Sequence, residues 1–442
     1  MIENELLRLT HIQARGLFGM YDHEIHLNMD DRVTLLHGPN GVGKTTLLQM
    51  VNALMSKNLS FFALIPMQSF TMHFHDSTKI ELSSNEGRNA AEDTHLLTLS
   101  KGKEKNTVSF KIRRIVNDLI KEKIDFDFLR PLDRDSGLWI DMHNDEVLTE
   151  SEVISRYGYS GSLLDHKEMN SNEWLKDFFD HAKVHFIQVQ RLIQIESNRR
   201  TRYHMKPLHA GPRVIECSRD FHRRLDAMMA NYGRSAQALD QSFPQRLISA
   251  SQSLEPAKLQ EKMQELANKT ANLKEMGILD EAYPFNIPQL DDQGDSTQAR
   301  VMTLYVQDTE KKLEVLEDLT NRAHMFLENI NQKFRHKQIQ IDRDAGLVVE
   351  GDEGQKLPLD SLSSGEQHEL VLHYDLLFRV PSNTVVLIDE PELSLHLTWQ
   401  KKFLPDLLEI VGLCQFDALI ATHSPYIIDG RNDLTVPLTD SG

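Results

Sequence analysis

Cysteine is almost missing from this sequence, with two residues, Cys217 and Cys414, in 442. They lie far apart, and neither has a neighbouring Cys or His pattern. Neither a disulfide framework nor a structural zinc site is therefore expected from them, and buried free thiols are the remaining reading. Long apolar runs are also lacking: nothing approaches the roughly 18 uninterrupted apolar residues of a membrane span. The acidic opening Met1-Ile2-Glu3-Asn4-Glu5 passes directly into strand-like sequence, which leaves neither a secretory signal nor a transit peptide. The expected compartment is the cytoplasm, without a membrane partner. Positive charge is scarce, at 49 Lys and Arg against 66 Asp and Glu, for a net charge of -17. Phosphate neutralisation needs a local excess of Lys and Arg, so any DNA contact must be a patch rather than the whole surface. No internal repeat or low-complexity tract is present.

A chain of 442 residues that is 40% hydrophobic and 26% charged is an ordinary globular sequence with room for two or three structural units. Its most specific feature follows the short apolar run Val33 to His37. There Gly38-Pro39-Asn40-Gly41-Val42-Gly43-Lys44-Thr45-Thr46 fits GxxxxGK[ST] between a predicted strand and a predicted helix. Glycines let the backbone N–H groups curl toward phosphates, and a helix starting near Gly43 adds the positive end of its dipole. Lys44 is placed to bridge the β and γ phosphates, and the Thr45 hydroxyl to hold Mg2+. ATP and Mg2+ are the ligands this motif implies.

A second apolar run, far downstream, ends in two acids, Asp389 and Glu390, followed by Pro391 and Glu392. At the carboxyl end of a parallel strand these acids would face the phosphate loop. Asp389 is the expected magnesium partner and Glu390 the group that orients or deprotonates an attacking water, a contribution of roughly a hundred to ten thousand fold. A strand followed by an acidic helix cap would explain one acid but not the pair. Upstream, Leu362-Ser363-Ser364-Gly365-Glu366-Gln367 opens a helical stretch through Leu370, Leu372, Leu376 and Leu377. A plain Ser-capped helix reads the same way. Downstream, Ala418 to Thr422 is another apolar strand, and it ends at His423.

The ordered set resembles the ABC ATPases, with Leu362 to Gln367 similar to their LSGGQ signature. The resemblance implies that Ser363, Ser364, Gly365 and Glu366 meet the γ phosphate of a nucleotide on a second subunit. It implies that His423 is the switch histidine that senses that phosphate. Val184 to Arg191 carries two glutamines, either of which fits the family's Q-loop magnesium ligand, with Gln190 the expected one. Ser394 and His396 fall at the D-loop, where many ABC transporters carry Asp instead of His396. The opening Leu9 to Asp22 resembles the N-terminal strand pair of the SMC and RecF group, in which Arg15 would reach the adenine or ribose or lie simply on the surface.

The implied fold class is α/β: an ABC-type ATPase head of the AAA family, with a P-loop, a mixed sheet with helices and a strand-rich first lobe, carrying an inserted α-helical hairpin. The boundaries expected are residues 1–200 for the N-terminal half of the head, 201–340 for the insertion and 341–442 for the C-terminal half. Within the insertion, Leu259, Met263, Leu266, Thr270 and Leu273 repeat at four and three residues, as do Leu316, Leu319, Ala323, Phe326 and Ile330. They predict a short, antiparallel, coiled-coil-like hairpin whose stripes pack on each other, broken by the polar, Pro-bearing stretch from Tyr283 to Ser296. Without a CxxC at the apex, zinc-hook repair ATPases are excluded as close matches. A basic run, Arg191 and Arg199 to Arg213, suits DNA, an acidic partner, a viral trigger protein or simply a solvated loop.

Gln190-Arg191-Leu192, the segment Leu239 to Leu247 and the compact hairpin resemble stand-alone ATPase subunits of bacterial anti-phage systems. These are the ATPases of PARIS and Septu and the ATPase part of the overcoming-lysogenization-defect nucleases. The resemblance implies a homo-oligomer that joins head to head, with a separately encoded nuclease or toxin effector, because the sequence ends at Gly442 without a Toprim nuclease domain. A RecF-like repair ATPase that binds DNA directly is the alternative.

Overall fold

The computed structural model describes residues 7–85, 94–102, 104–111, 129–131, 138–141, 146–149, 173–188, 213–250, 253–279 and 296–439. Contacts divide the chain into two units, Met1–Gln190 with Val380–Gly442, and Arg191–Arg379.

The first unit is built on a parallel sheet of five short strands: β3 (Val33–His37), β11 (Val184–Gln188), β15 (Val385–Asp389), β16 (Asp417–Thr422) and β17 (Thr435–Pro437), in the order β11-β15-β16-β3-β17. Every neighbouring pair is parallel, with Asp389 registered against Ala421 and Thr422 against His37. The strands read as continuous apolar runs because a parallel sheet is covered on both faces. Leu35, Leu36, Val386, Leu387, Ile388, Leu419 and Ile420 are all fully buried. Helices α1 (Lys44–Met55), α2 (Glu173–His181), α7 (Leu397–Cys414) and α8 (Pro425–Ile428) belong to this unit, and α1 packs on β11, β15 and β16. All five carboxyl ends lie on one edge, the edge at which such sheets bind ligands.

An antiparallel sheet with order β2-β1-β4-β5-β6-β7 lies in the same unit. Its strands are β1 (Leu9–Leu17), β2 (Tyr21–His26), β4 (Ser69–Phe74), β5 (Thr78–Asn85), β6 (Thr94–Lys101) and β7 (Glu104–Lys111). One face is apolar and packed: Ile12 and Ala14 on β1, Ile25 on β2, and Phe70, Met72 and Phe74 on β4. The two-residue alternation of β1 breaks between Leu9 and His11 and between Ala14 and Leu17, where the register shifts, as a β-bulge requires. Three further strands, β8 (Leu129–Pro131), β9 (Leu138–Asp141) and β10 (Glu146–Thr149), form a small antiparallel sheet.

The second unit is mainly helical, with α3 (Arg213–Ser249), α4 (Pro256–Glu275), α5 (Ser296–Asn331) and α6 (Ser364–Tyr374), the last continuing into a π-helical turn, Asp375–Arg379. A three-stranded sheet of β12 (Lys337–Asp342), β13 (Gly346–Gly351) and β14 (Lys356–Leu357) completes it. Phe221 of α3, Phe326 of α5, and Tyr374 with Phe378 meet as one aromatic cluster, edge to face except for the tilted Tyr374–Phe378 pair. Because α6 packs on α3 and α5, residues 341–379 go with the helical unit, and the contacts cut the chain at Gln190 and Arg379 rather than at 200 and 340.

The hairpin expected in the insertion pairs differently from the sequence reading. Lys262 meets Glu310 and Lys269 meets Glu317, so the two numberings rise together and α4 and α5 run parallel. The antiparallel partner of α5 is α3, because Asp240 meets Lys312 while the later Arg246 meets the earlier Asp308. An apolar stripe marks the face a helix buries but carries no direction. Both predicted stripes are used, except that Leu313 is buried on α5 and Leu319 only half-buried. The stretch from Tyr283 to Pro288 lies outside the described residues, as does most of the basic run before Arg213. Cys217 and Cys414 are buried and form no disulfide, and burial pushes the Cys217 thiol up to about 12. Among the described residues no helix is long and apolar enough to cross a membrane.

Candidate functional site

The phosphate loop occupies the bend between β3 and α1. Gly43 caps α1 in the left-handed region, at φ 93°, a conformation that costs glycine little and other residues more. Gly38 is required for space: a Cβ there would lie 2.3 Å from the Leu438 carbonyl oxygen, just beyond β17. Lys44 is buried, and its Nζ donates to the carbonyls of Gly38 at 2.9 Å and Pro39 at 2.8 Å, and to His423 Nδ1 at 3.3 Å. Burial lowers its pKa against the opposing pull of Glu390, Glu392 and Asp389.

The carboxyl ends of β15 and β16 supply the remaining groups. Thr45 Oγ1 donates to Asp389 Oδ1 at 3.0 Å, joining the first turn of α1 to the end of β15. Burial, which outweighs the Thr45 bond, and the nearby Glu390 and Glu392 push Asp389 up to about 6. Glu390 stands at φ 46°, ψ 57°, a strained conformation for a residue with a Cβ. Its backbone N–H donates to the Ala421 carbonyl at 2.9 Å, and its Oε1 lies 3.6 Å from His423 Nε2. His423 thus sits between Lys44 and Glu390. Three carboxylates gather around one lysine, an excess of negative charge at a site of oxygen donors that suits Mg2+.

The structure brings Gly38 to Thr46, Asp389, Glu390 and His423 to this one edge. Gln190 lies outside the described residues, although Gln188, two positions earlier, is registered against Asp389. Ser394 closes the 3-10 turn Pro391–Ser394, and His396 caps α7, its Nδ1 accepting from the Thr398 N–H. Arg15 is exposed on β1. The signature residues belong to the other unit, where Ser363 caps α6 in a capping box with Glu366. Lys337 holds Glu366 at 2.8 Å. Burial would raise the Glu366 carboxyl, but the bonds from Lys337 and Ser363 outweigh it and leave the pKa lowered. Ser363 and Ser364 are exposed.

Two residues that support this site escape the motif reading. Glu392 Oε1 accepts from Thr422 Oγ1 at 2.9 Å, His423 N at 2.7 Å and Ser424 N at 3.2 Å, so it clamps the segment carrying His423. His23, buried on β2, donates from Nε2 to the Val42 carbonyl at 2.8 Å and steadies the phosphate loop from behind. The second glutamate after Asp389 was a visible signal for the first; nothing near His23 marks the second.

A family model described as the AAA ATPase domain matches residues 18–428, nearly the whole chain. The chain belongs to the AAA ATPase domain family. One relative of this AAA ATPase, Protein ea59 of Escherichia phage lambda, is 33% identical over 120 residues, which is 27% of this chain and 23% of that protein. The chain therefore matches less than a quarter of that relative's length. The Smc head domain with an extended coiled coil bound to the C-terminal domain of ScpA, from Pyrococcus furiosus, is similar at 10% identity, with a TM-score of 0.34 over 98% of this chain and 94% of that one. An Smc head bound to the winged-helix domain of ScpA gives a TM-score of 0.33 at 10% identity over 95% and 91%. Likenesses at these scores bear on neither the fold nor the function of this AAA ATPase.

Proposed function

We propose that this AAA ATPase binds ATP with Mg2+ at the carboxyl edge of its parallel sheet and hydrolyses it as the timing step of a head-to-head switch. The observation that carries the reading is the convergence of Lys44, the Thr45–Asp389 pair, Glu390 and His423 on that edge. Thr45 and Asp389 would hold Mg2+, which when bound neutralises phosphate charge. Lys44 would exchange its loop carbonyls for phosphate oxygens. Glu390 orients the attacking water and accepts its proton, and His423 holds the third side of the γ phosphate. Ser363 and Ser364, exposed at the positive end of α6, suit a nucleotide held by a second copy. Leu393 and Leu397, 59% and 49% exposed beside His396, are the apolar surface that such a pairing would cover.

The resemblance to anti-phage ATPase subunits supports a sensor or scaffold that holds or releases a separate nuclease or toxin effector in response to a phage trigger. A tagged pull-down of wild type, Lys44→Ala and Glu390→Gln, before and after infection, tests this. An effector whose association follows the nucleotide state supports the defence reading. Association with no effector, together with undiminished defence by the Lys44→Ala strain, overturns it. DNA alone, bound with a steep salt dependence, turns the reading to a RecF-like repair ATPase.

A further inference from the structure

Away from the phosphate loop, the antiparallel sheet carries three imidazoles in a row across three adjacent strands. His26 on β2 is registered against His11 on β1, and His11 against His73 on β4. The His11 and His26 rings stack with centroids 4.1 Å apart and planes 5° from parallel, and His73 stacks on the other side of His11 at 5.1 Å. Glu24 lies two residues before His26, so the strand's alternation puts it on the same face, opposite the buried Ile12 and Ile25. Its Oε1 reaches 3.2 Å from His11 Nε2 and 3.7 Å from His26 Nε2. Gln13, the cross-strand partner of Glu24, donates from Nε2 to the same oxygen at 3.1 Å.

One atom in this group stands out. His11 Nε2 is buried, and its approach to Glu24 does not make a hydrogen bond. A buried ring nitrogen whose contact with a carboxylate falls short of a well-formed hydrogen bond is costly. Stacked imidazoles that share one carboxylate cannot all carry a proton cheaply, and burial, followed by His26 and His73, holds His11 below its ordinary pKa.

We infer that His11, Glu24 and His26 form a binding site for one divalent cation of the zinc class. Zinc takes imidazole nitrogen at about 2.0 to 2.1 Å and carboxylate oxygen at about 2.0 to 2.2 Å, so tetrahedral ligand atoms stand roughly 3.3 to 3.5 Å apart. The contacts at 3.2 and 3.7 Å are on that scale, and the three ligand atoms lie within 4.8 Å of one another. Because the two rings stand parallel and an imidazole binds in its own plane, the exposed His26 ring turns out of the stack when the ion is bound. Water completes the tetrahedron on the exposed side of His26. Gln13 orients the carboxylate, the role played by outer hydrogen bonds at metal sites. The donor set also separates this site from the phosphate edge, because two imidazoles favour zinc, nickel or copper, whereas the hydroxyl and carboxylate oxygens of Thr45 and Asp389 favour magnesium. A cation here ties β1 to β2, the pair whose far ends carry Leu17 against Gly43 and His23 against Val42.

The test is calorimetric titration of untagged, chelator-stripped full-length protein with zinc chloride, in millimolar magnesium and without nucleotide. The expected result is one tight zinc per chain, weakened at least about tenfold by Glu24→Gln, His26→Ala or Gln13→Ala and unchanged by His181→Ala, an exposed imidazole outside the row. His26 is 74% exposed, so its removal leaves the core intact, which circular dichroism checks. Cobalt substitution should give the intense visible absorption of a tetrahedral site in wild type, absent from His26→Ala. Zinc isotherms identical in wild type and His26→Ala, or no zinc uptake by wild type, would overturn the assignment. Neither result depends on ATP hydrolysis, so the reading of the phosphate edge stands or falls separately.

Discussion

In the helical unit, Lys333 lies against Glu369 and His373, and the three side chains are 1%, 2% and 3% exposed. The charges of Lys333 and Glu369 cancel there, although Glu369 Oε2 makes no hydrogen bond, and the charges of Arg213 and Arg379 are matched by Asp375 and Glu216. At the phosphate edge three carboxylates, Asp389, Glu390 and Glu392, surround one lysine. The pKa of Asp389 is raised, that of Lys44 is lowered, and the backbone of Glu390 is strained. Both regions bury charge, but one balances it and the other leaves an excess of one sign. Balanced burial holds helices in register. Unbalanced burial costs stability and is retained where a charged ligand restores the balance.

The comparison breaks first at Glu390. Replacing it with glutamine removes one excess charge and the proton acceptor together, so turnover should fall about a hundred to ten thousand fold while nucleotide binding persists. The same variant should accumulate a larger species in ATP on size-exclusion chromatography. Turnover near the wild-type rate would mean that the excess charge serves something other than hydrolysis.

On the balanced side, Lys333→Met should leave nucleotide affinity unchanged and lower stability by about 3 to 5 kcal/mol, because it strands a buried carboxylate. Urea denaturation measures this. The double variant Lys333→Met with Glu369→Leu should recover much of the loss, since it removes the stranded charge as well. A double variant no more stable than the single one would show that the cluster is more than a neutral pair.

Glu392 is the intermediate case, a carboxylate of the crowded edge whose Oε1 has three donors. Glu392→Gln keeps an acceptor but loses the charge, and hydrogen bonds to charged groups contribute about 1.5 to 3 kcal/mol. Turnover should drop about tenfold through a loosened His423, a smaller loss than in Glu390→Gln. An equal loss would place Glu392 among the reacting groups.

These positions also show what a sequence can convey. Phosphate binding needs closely spaced glycines and a lysine on one turn, so residues 38 to 46 were legible as a block, and Asp389 and His423 were legible because each ends an apolar strand. The roles of Glu392 and His23 depend on approaches between segments distant in sequence, which no local pattern encodes. The row of His11, Glu24 and His26 stayed hidden for the same reason: it exists only in the pairing of β1 with β2 and β4. In the helical unit the stripes revealed which faces are buried. The parallel course of α4 and α5 required the pairs Lys262–Glu310 and Lys269–Glu317 to be seen in space.

Asp389 gives the smallest predicted effect and the most direct measure of the imbalance. Its pKa is raised to about 6, and only its ionised form attracts magnesium. Divalent-ion affinity should therefore be constant above that pH and fall as pH drops through it, tending to about tenfold per unit well below, as proton linkage requires. Manganese titration in the presence of ADP, followed by electron paramagnetic resonance, measures this directly. Glu392 is one of the like charges holding the pKa up, so Glu392→Gln should move the fall to lower pH. Lys333→Met, which alters the balanced cluster instead, should leave the midpoint where it is. If both variants titrate alike, the crowding of carboxylates is not what sets the Asp389 pKa, and desolvation alone accounts for it.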